Sequence, residues 1–587
     1  MIGRARIVLC AGAACSVVAA AAPGVAAAAR VSAFPSPGEH YARPGTTIAL
    51  RGVTAQGLGA ATLAGSRTGV HSFKVRAHSD GHGVSLIPDK PFARGEAVAV
   101  STGLNVRGAH HGDFRIRIAL TGRPLRTRRI PREAPDRRSV IQSFHSRPDL
   151  RPPKVRVTRR RKGVKGGYLF MAPKIGPGQN GPMIFDNRGQ LVWFRPLPRL
   201  YEADGLRPGR YRGRPVLSWW EGLTNFGTGN GTIKMVDTNY RPVAEVRAGN
   251  GFDGLDPHEF ELTSRGTAYV ALLSTVYRDL SYMGGAKHAQ VLDAVVQEID
   301  IKTGLVLFEW HSLDHVSAWE SYKGPPKVNG HLFDYFHINS IDEGPGGKII
   351  VSSRNTWTVY RLNRYTGSVK WRLGGKKNSF RMGRHSGFVY QHDARIQRSG
   401  VITLFDNGAM PKHHSVSRGI GIRVRGHHAR LVKDYRHSTP LLSGSQGDVQ
   451  RLSGGHVLIG WGQNPVVSEY TSHGRELFSA ELPRPNMSYR NFRGSWDGSP
   501  PDRPAAVASS DGKTTKVYVS WNGATRVARW DVLGGTTPGA LGPVGSGARS
   551  GFETLVRIGR PLPYVAVAAK DAAGRTLGVS KVVRVGS

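Results

Sequence analysis

The sequence predicts an all-β protein: a six-bladed β-propeller flanked by N-terminal and C-terminal β-sandwich-like domains. Three observations carry this. Between about residues 163 and 485, two kinds of strand-forming unit alternate strictly through about six periods. On either side lie segments of short, alternating apolar and polar runs broken by turn residues. The chain of 587 residues is too long for one hydrophobic core, and its 75 glycines and 36 prolines suit many short strands joined by tight turns.

In chain order, residues 1–29 read as an export signal. Arg4 and Arg6 give a positive start, residues 7–22 are apolar, Pro23-Gly24 breaks the run, and Ala26-Ala27-Ala28 offers small residues for cleavage. The mature protein is expected to be exported and soluble, in the medium, at the cell wall or in a periplasm. Both cysteines, Cys10 and Cys15, fall inside this signal. The mature chain then holds no thiol and no disulfide, which excludes thiol catalysis and cysteine–metal sites.

Residues 31–121 form the N-terminal sandwich, with alternating runs such as Thr47-Ile48-Ala49-Leu50-Arg51 and Glu96-Ala97-Val98-Ala99-Val100. Residues 122–162 are dense in Arg and Pro and read as an extended linker over the surface. The propeller is assigned to 163–485. One of its units is a strand, a turn ending in Gly and a strand ending in an aromatic, as in Asp186-Asn187-Arg188-Gly189-Gln190-Leu191-Val192-Trp193. The other is an apolar strand, a Gly turn and a second apolar strand, with copies starting near Gly167, Gly213, His258, His337, His392 and Gly447. Copies of the first unit recur every 45 to 65 residues or so, which suits four-stranded blades. Residues 490–587 alternate again, as in Val517-Tyr518-Val519-Ser520-Trp521, and read as an immunoglobulin-like domain.

The formal charge of +41 fits nucleic acid, an anionic wall or membrane, or small anionic substrates. No helix-turn-helix, finger or RNP pattern is present, so nucleic acid is not an expected partner. Association with an anionic cell wall and a merely diffuse basic surface both stay open.

Alignment of the second unit brings out a pattern no single copy shows. His258, His337 and His392 open three successive copies. In a propeller, the starts of the innermost strands face one mouth of the central channel, so three histidines distant in sequence converge on one axial site. Such a set either ligates a metal or handles protons and a transferred group. Arg354 lies on the strand that pairs with the His337 strand. A guanidinium is repelled by a metal cation but is a forked donor to an oxyanion. Asn339, two residues after His337, falls on the same strand face and adds an amide. The balance favours transfer of a sulfuryl or phosphoryl group, with no metal and no cofactor. Two other readings compete: a metal-dependent propeller hydrolase or lyase, and a non-catalytic cell-surface binding protein.

The stretch from Gly167 to Leu482 resembles the bacterial arylsulfate sulfotransferases that need no nucleotide sulfate donor. The likeness is carried by residues 256–260, Asp334-Tyr335-Phe336-His337-Ile338-Asn339-Ser340-Ile341, Ser352-Ser353-Arg354, Trp371-Arg372-Leu373-Gly374-Gly375, Gln391-His392-Asp393 and Gly447-Asp448-Val449-Gln450-Arg451-Leu452. The resemblance implies a six-bladed propeller and a histidine that carries the sulfuryl group from an aryl sulfate donor to a phenol acceptor. By motif position the nucleophile is His392. His258, His337, Arg354 and Asn339 match other site positions. On that reading Arg354, His337 and Asn339 bind the sulfuryl oxygens and His258 serves the leaving phenolate. Acid–base work by Glu259 or Glu261 stays open, although a carboxylate next to a strand-start histidine more often just orients it. Periplasmic members carry a disulfide near the site, and a cysteine-free mature chain does not.

Overall fold

The computed structural model describes residues 30–125, 137, 139–225 and 227–586. The export signal read over 1–29, with Cys10 and Cys15, and the arginine-rich residues 126–136 and 138 lie outside the described residues.

Among the described residues six sheets, antiparallel but for one short parallel pairing each in the third and fifth, carry the central repeat. The second blade runs in chain order, innermost strand first, through Glu202–Tyr211, Arg214–Asn225, Thr228–Val236 and Pro242–Val246. The third blade has Phe260–Leu262, Thr267–Arg278, Ala289–Asp300 and Val306–His311. The fourth has Ile338–Gly344, Lys348–Ser353, Thr358–Leu362 and Val369–Gly374. The fifth has His392–Ile396, Val401–Asp406, Arg418–Arg425 and His428–Tyr435. The sixth has Asp448–Arg451, Val457–Gly460, Val466–Tyr470 and Glu476–Glu481.

The first blade closes the ring from both directions along the chain. Its outer strands are Leu191–Phe194, Met183–Phe185 and Tyr168–Met171, and its innermost strand is Phe492–Gly494, paired as Phe170 to Phe492. The propeller therefore extends past 485. It also recruits Arg156–Arg160 from the segment read as linker, as a fifth strand beside Glu476–Glu481. The copies near Gly167 and Gly213 open second strands rather than innermost ones, because the first blade takes its inner strand from the far end and the second begins at Glu202.

Blades are buried on both faces, which is why their middle strands are almost continuously apolar. Trp220 and Ile233 of the second blade pack with Val270 and Leu272 of the third. Ile350 and Val359 of the fourth pack with Leu404 and Ile420 of the fifth.

Around the channel, carboxylates on the innermost strands hold one blade to the next. Glu259 accepts from the Ile341 N–H at 3.3 Å, Asp342 from Ile396 at 2.8 Å, Asp393 from Val449 at 2.9 Å, and Asp448 from Asn491 at 3.0 Å. Each bond satisfies a buried backbone donor that no strand pairing reaches.

The N-terminal sandwich has one sheet of Ser32–Phe34, Ile48–Arg51, Gly83–Pro88 and Phe73–Ala77. Its other sheet is Gly69–His71, Ala61–Gly65, Ala97–Thr102 and Phe114–Arg117. It docks on the third blade through Phe34 against Phe308, ring centroids 4.8 Å apart, and through Ser79 on Asp300 at 2.9 Å. The C-terminal sandwich encloses Val517, Val519, Trp530, Val532, Val565 and Val567 between two sheets.

Candidate active site

Each innermost strand begins at the same mouth of the channel, and there His258, His337 and His392 meet. The rings of His258 and His337 are perpendicular at 4.7 Å. Tyr489 stands between His258 and His392, its centroid 5.4 Å from one and 6.4 Å from the other. All four rings are largely buried. Tyr489 comes from the chain that enters the closing strand, beyond the propeller boundary read from the sequence.

The backbone at this mouth is bent. His337, Trp357, Tyr390, Asp393 and Gln446 hold φ values of 55°, 51°, 59°, 55° and 64°. Left-handed backbone in non-glycine residues costs on the order of 1–3 kcal/mol each and persists only where surrounding contacts impose it. Bulges accompany it: one falls between Ile338 and Ser340, another between His392 and Arg395. Bulges re-aim side chains next to functional sites.

Hydrogen bonding fixes the His392 tautomer. Its Nδ1 is 2.7 Å from Asn407 Oδ1 and 3.2 Å from the Tyr390 carbonyl. Asn407 gives its amide protons to the carbonyls of Ser443 and Gln446, both at 3.0 Å, so its oxygen must be the atom facing His392. Two acceptors on Nδ1 place the proton there and leave the lone pair on Nε2. The Gln446 N–H approaches Nε2 at 3.3 Å, consistent with a lone pair at that nitrogen. Burial, reinforced by the Arg354 charge, holds His392 well below the ordinary histidine range, so the ring is neutral.

His258 and His337 each carry a carboxylate on Nδ1. Asp256 pairs with His258, and Asp334 with His337 at 2.5 Å. Burial and the Arg354 charge push His337 down to about 4 despite Asp334. Burial alone would raise Asp334, but His337, Arg354 and Lys323 together hold it well below the usual carboxylate range. A neutral His337 with its proton on Nδ1 presents a bare Nε2, and that atom has no hydrogen-bond partner among the described residues. In that state it accepts a proton, a role different from the expected one of binding the sulfuryl oxygens.

Arg354 follows the strand Lys348–Ser353, its N–H bonded to the His337 carbonyl at 2.9 Å. Its guanidinium lies 4.6 Å over the Tyr390 ring and bonds Asn355 at 3.2 Å through Nε. Asp334, at 3.8 Å, is beyond hydrogen-bond range.

Asn339 does not share the His337 face. It is the extra residue of the bulge after Ile338, and its amide donates to the Gln391 carbonyl at 2.7 Å. It therefore positions the residue before His392, and the expected contact with the transferred group is withdrawn. Glu259 orients no histidine either. It pairs with Arg490 at 2.8 Å, Arg395 at 2.5 Å and Arg207 at 3.5 Å. Glu261 lies 3.4 Å from Arg207 and 3.6 Å from Arg395.

Sequence reasoning missed Asn407, Tyr390, Gln446 and Tyr489. It also passed over Asp256 and Asp334, whose signal was present as an acid two or three residues before each histidine.

Residues 208–482 match the family model described as arylsulfotransferase (ASST). They are an arylsulfotransferase domain. The arylsulfotransferase match runs from inside the innermost strand of the second blade to the end of the sixth, and holds His258, His337, Arg354 and His392. Tyr489 and the closing strand fall outside it. No curated protein sequence matches the chain significantly.

Among solved structures, a protein of unknown function from Bacteroides caccae is 14% identical at a TM-score of 0.34, covering 56% of this chain and 98% of its own. Virginiamycin B lyase from Staphylococcus aureus is 9% identical at 0.28, covering 62% and 95%. An auxiliary nutrient binding protein from Bacteroides ovatus is 11% identical at 0.27, covering 83% and 95%. The architecture described above rests on the sheet pairing itself.

Proposed function

We propose that this arylsulfotransferase domain moves a sulfuryl group from an aryl sulfate to a phenol through His392. The carrying observation is the neutral His392 ring with its proton held on Nδ1 by Asn407 and its lone pair on Nε2. Nε2 attacks the sulfur of the donor. The N–S bond forms, the S–O(aryl) bond breaks, and its electron pair leaves on the phenolate oxygen, which takes a proton. The positive charge that develops on the ring is spread toward the Asn407 and Tyr390 oxygens. Arg354 is the forked donor to the sulfuryl oxygens, where charge accumulates in the transition state.

The two dyads, Asp256–His258 and Asp334–His337, manage protons. One delivers a proton to the leaving phenolate, and His258 keeps that role. His337, with its bare Nε2, takes the proton of the incoming phenol. The acceptor oxygen then attacks sulfur, the N–S bond breaks, its pair returns to His392, and the proton taken by His337 passes to His258, whose ring lies 4.7 Å away, restoring both dyads. Donor ester plus acceptor phenol become donor phenol plus acceptor ester, with no other reactant.

Incubation with 4-nitrophenyl sulfate and no acceptor tests this. One equivalent of 4-nitrophenolate should appear in a burst, and the peptide holding His392 should gain the mass of one SO3 group. His392→Ala should abolish both. No adduct, together with phenol release indifferent to acceptor, would overturn the reading.

Export and wall association belong to the same proposal. Their support is the signal-like order of residues 1–29 and the charge of +41. N-terminal sequencing of secreted protein should find a start between about residues 26 and 30.

A further inference from the structure

Between the mouth loops of the fourth and fifth blades lies an open cavity of about 430 Å3. Tyr322, Trp357, Met382 and Phe388 supply apolar wall, with His385 and His414 beside them. One wall is a fixed aromatic slab: Tyr322 and Trp357 stack with centroids 3.5 Å apart and planes 10° off parallel. His413 braces Trp357 edge-on at 4.9 Å, and the Lys376 ammonium sits 5.1 Å over Tyr322.

The cavity is built from the same pieces of chain as the histidine site. Trp357 ends the turn that starts at Arg354, its N–H 3.3 Å from the Arg354 carbonyl. Val389, which lines the cavity, precedes Tyr390, the residue under the Arg354 guanidinium. The Val389 N–H is held by Asp406 at 3.0 Å, and the next residue, Asn407, holds His392 at 2.7 Å. Arg418 ties the two stretches, donating to the Gly387 carbonyl at 2.8 Å and to Asp406 at 2.9 Å.

We propose that this cavity is the aryl subsite, and that it selects donors or acceptors whose aromatic system has two or more fused rings over those with one. The proposal rests on the reading of His392 as the sulfuryl carrier. Its volume is that of pockets which enclose ligands of drug size, roughly 300–1,000 Å3, and a lone phenyl ring leaves most of it to water. The flat, rigid slab favours offset stacking with an extended ring system. Arg354, whose carbonyl accepts the N–H of the lining residue Trp357, then meets the sulfate of the same ligand.

Aryl sulfonates test this without chemistry, because their C–S bond puts the sulfur beyond transfer. Titration of the full-length protein should show naphthalene-2-sulfonate binding more tightly than benzenesulfonate, on the order of tenfold or more. Gly387 lines the cavity and a Cβ placed on it meets no atom within 4 Å, so Gly387→Phe adds its bulk from open space. In that variant the ratio of the two affinities should fall toward one. Met382→Trp, filling from another wall, should do the same and guards against a folding defect in the first. A ratio near one in the unaltered protein, or a ratio unchanged in both variants, overturns the subsite. Adduct formation from 4-nitrophenyl sulfate reports separately on His392. If it fails while the ratio behaves as expected, the transferase reading falls and the cavity remains a site for fused-ring aromatic anions.

Discussion

Asn407 Oδ1 lies 2.7 Å from His392 Nδ1, and the same amide gives its protons to the carbonyls of Ser443 and Gln446. Asn407 thus does for His392 what a buried carboxylate does for a catalytic histidine elsewhere: it selects the tautomer and holds the ring plane. It does so without adding negative charge, so the ring stays neutral. Loops far apart in sequence, around 390, 407 and 443–446, fold back on one imidazole.

Asn407→Ala should slow sulfuryl transfer to His392 on the order of a hundredfold or more, with substrate binding changed much less, because the lone pair no longer favours Nε2. Single-turnover release of 4-nitrophenolate measures this. Asn407→Asp should restore part of the rate and move the acid limb of the pH profile upward, since a carboxylate stabilises the imidazolium. A variant as fast as the unaltered protein would remove Asn407 from the mechanism.

Arg354→Lys should lower the rate of adduct formation on the order of a hundredfold or more, because a point charge cannot replace a forked donor to two sulfuryl oxygens. Turnover should survive exhaustive chelation, the guanidinium supplying the positive charge. Activity lost to chelator and restored by zinc or calcium would transfer the role from Arg354 to a metal.

The convergence of His258, His337 and His392 is legible in the sequence because each opens an innermost strand in the same register. Arg354 is legible because strand pairing sets it opposite His337. Asn339 misleads for a local reason: the spacing of two assumes an unbroken pleat, and the left-handed His337 with the bulge after Ile338 breaks it. Tyr489 and Arg490 leave almost no trace, since the strand they lead into, Phe492–Gly494, has three residues and shows no alternation long enough to read. Asn407 and Gln446 act through loop geometry, to which strand periodicity is blind. The carboxylate clasps between blades escape for a similar reason. An acid inside a strand reads as solvent-facing unless its partner on the next blade is known.

The pH profile separates a neutral histidine site from an ordinary one. Unperturbed histidine titrates near pH 6.5, but His337 is pushed down to about 4 and His392 lies well below its usual range. Both must be neutral, one to accept a proton and one to attack. The acid limb of kcat/KM should therefore fall near pH 4 or below rather than at 6.5. Stability follows the same sign: each ring binds its proton more weakly folded than unfolded, so this contribution is complete above pH 6.5 and lost as pH falls through the folded value. Arg354→Gln removes a cause of both shifts and should move the limb upward. A limb at 6.5 in the unaltered protein would mean that neither ring is held as described.

Glu259 is expected to act on the fold and not on the proton. Its carboxylate, fully buried, meets Arg490 at 2.8 Å and Arg395 at 2.5 Å, and it accepts the Ile341 N–H at 3.3 Å. Glu259→Ala leaves two buried guanidiniums short of a partner at the junction of the first, third and fifth blades. Breaking one side of a buried ion pair costs about 3–5 kcal/mol. Denaturant unfolding followed by tryptophan fluorescence should show a loss of that size. The acid limb of the folded fraction should stay where it was, since Glu259 touches neither His258 nor His337. Glu259→Gln, which keeps an acceptor for Ile341, should recover part of the stability. If Glu259→Ala instead left stability intact and erased the acid limb, Glu259 would belong to the acid–base machinery after all, and the two aspartates would have been assigned its work in error.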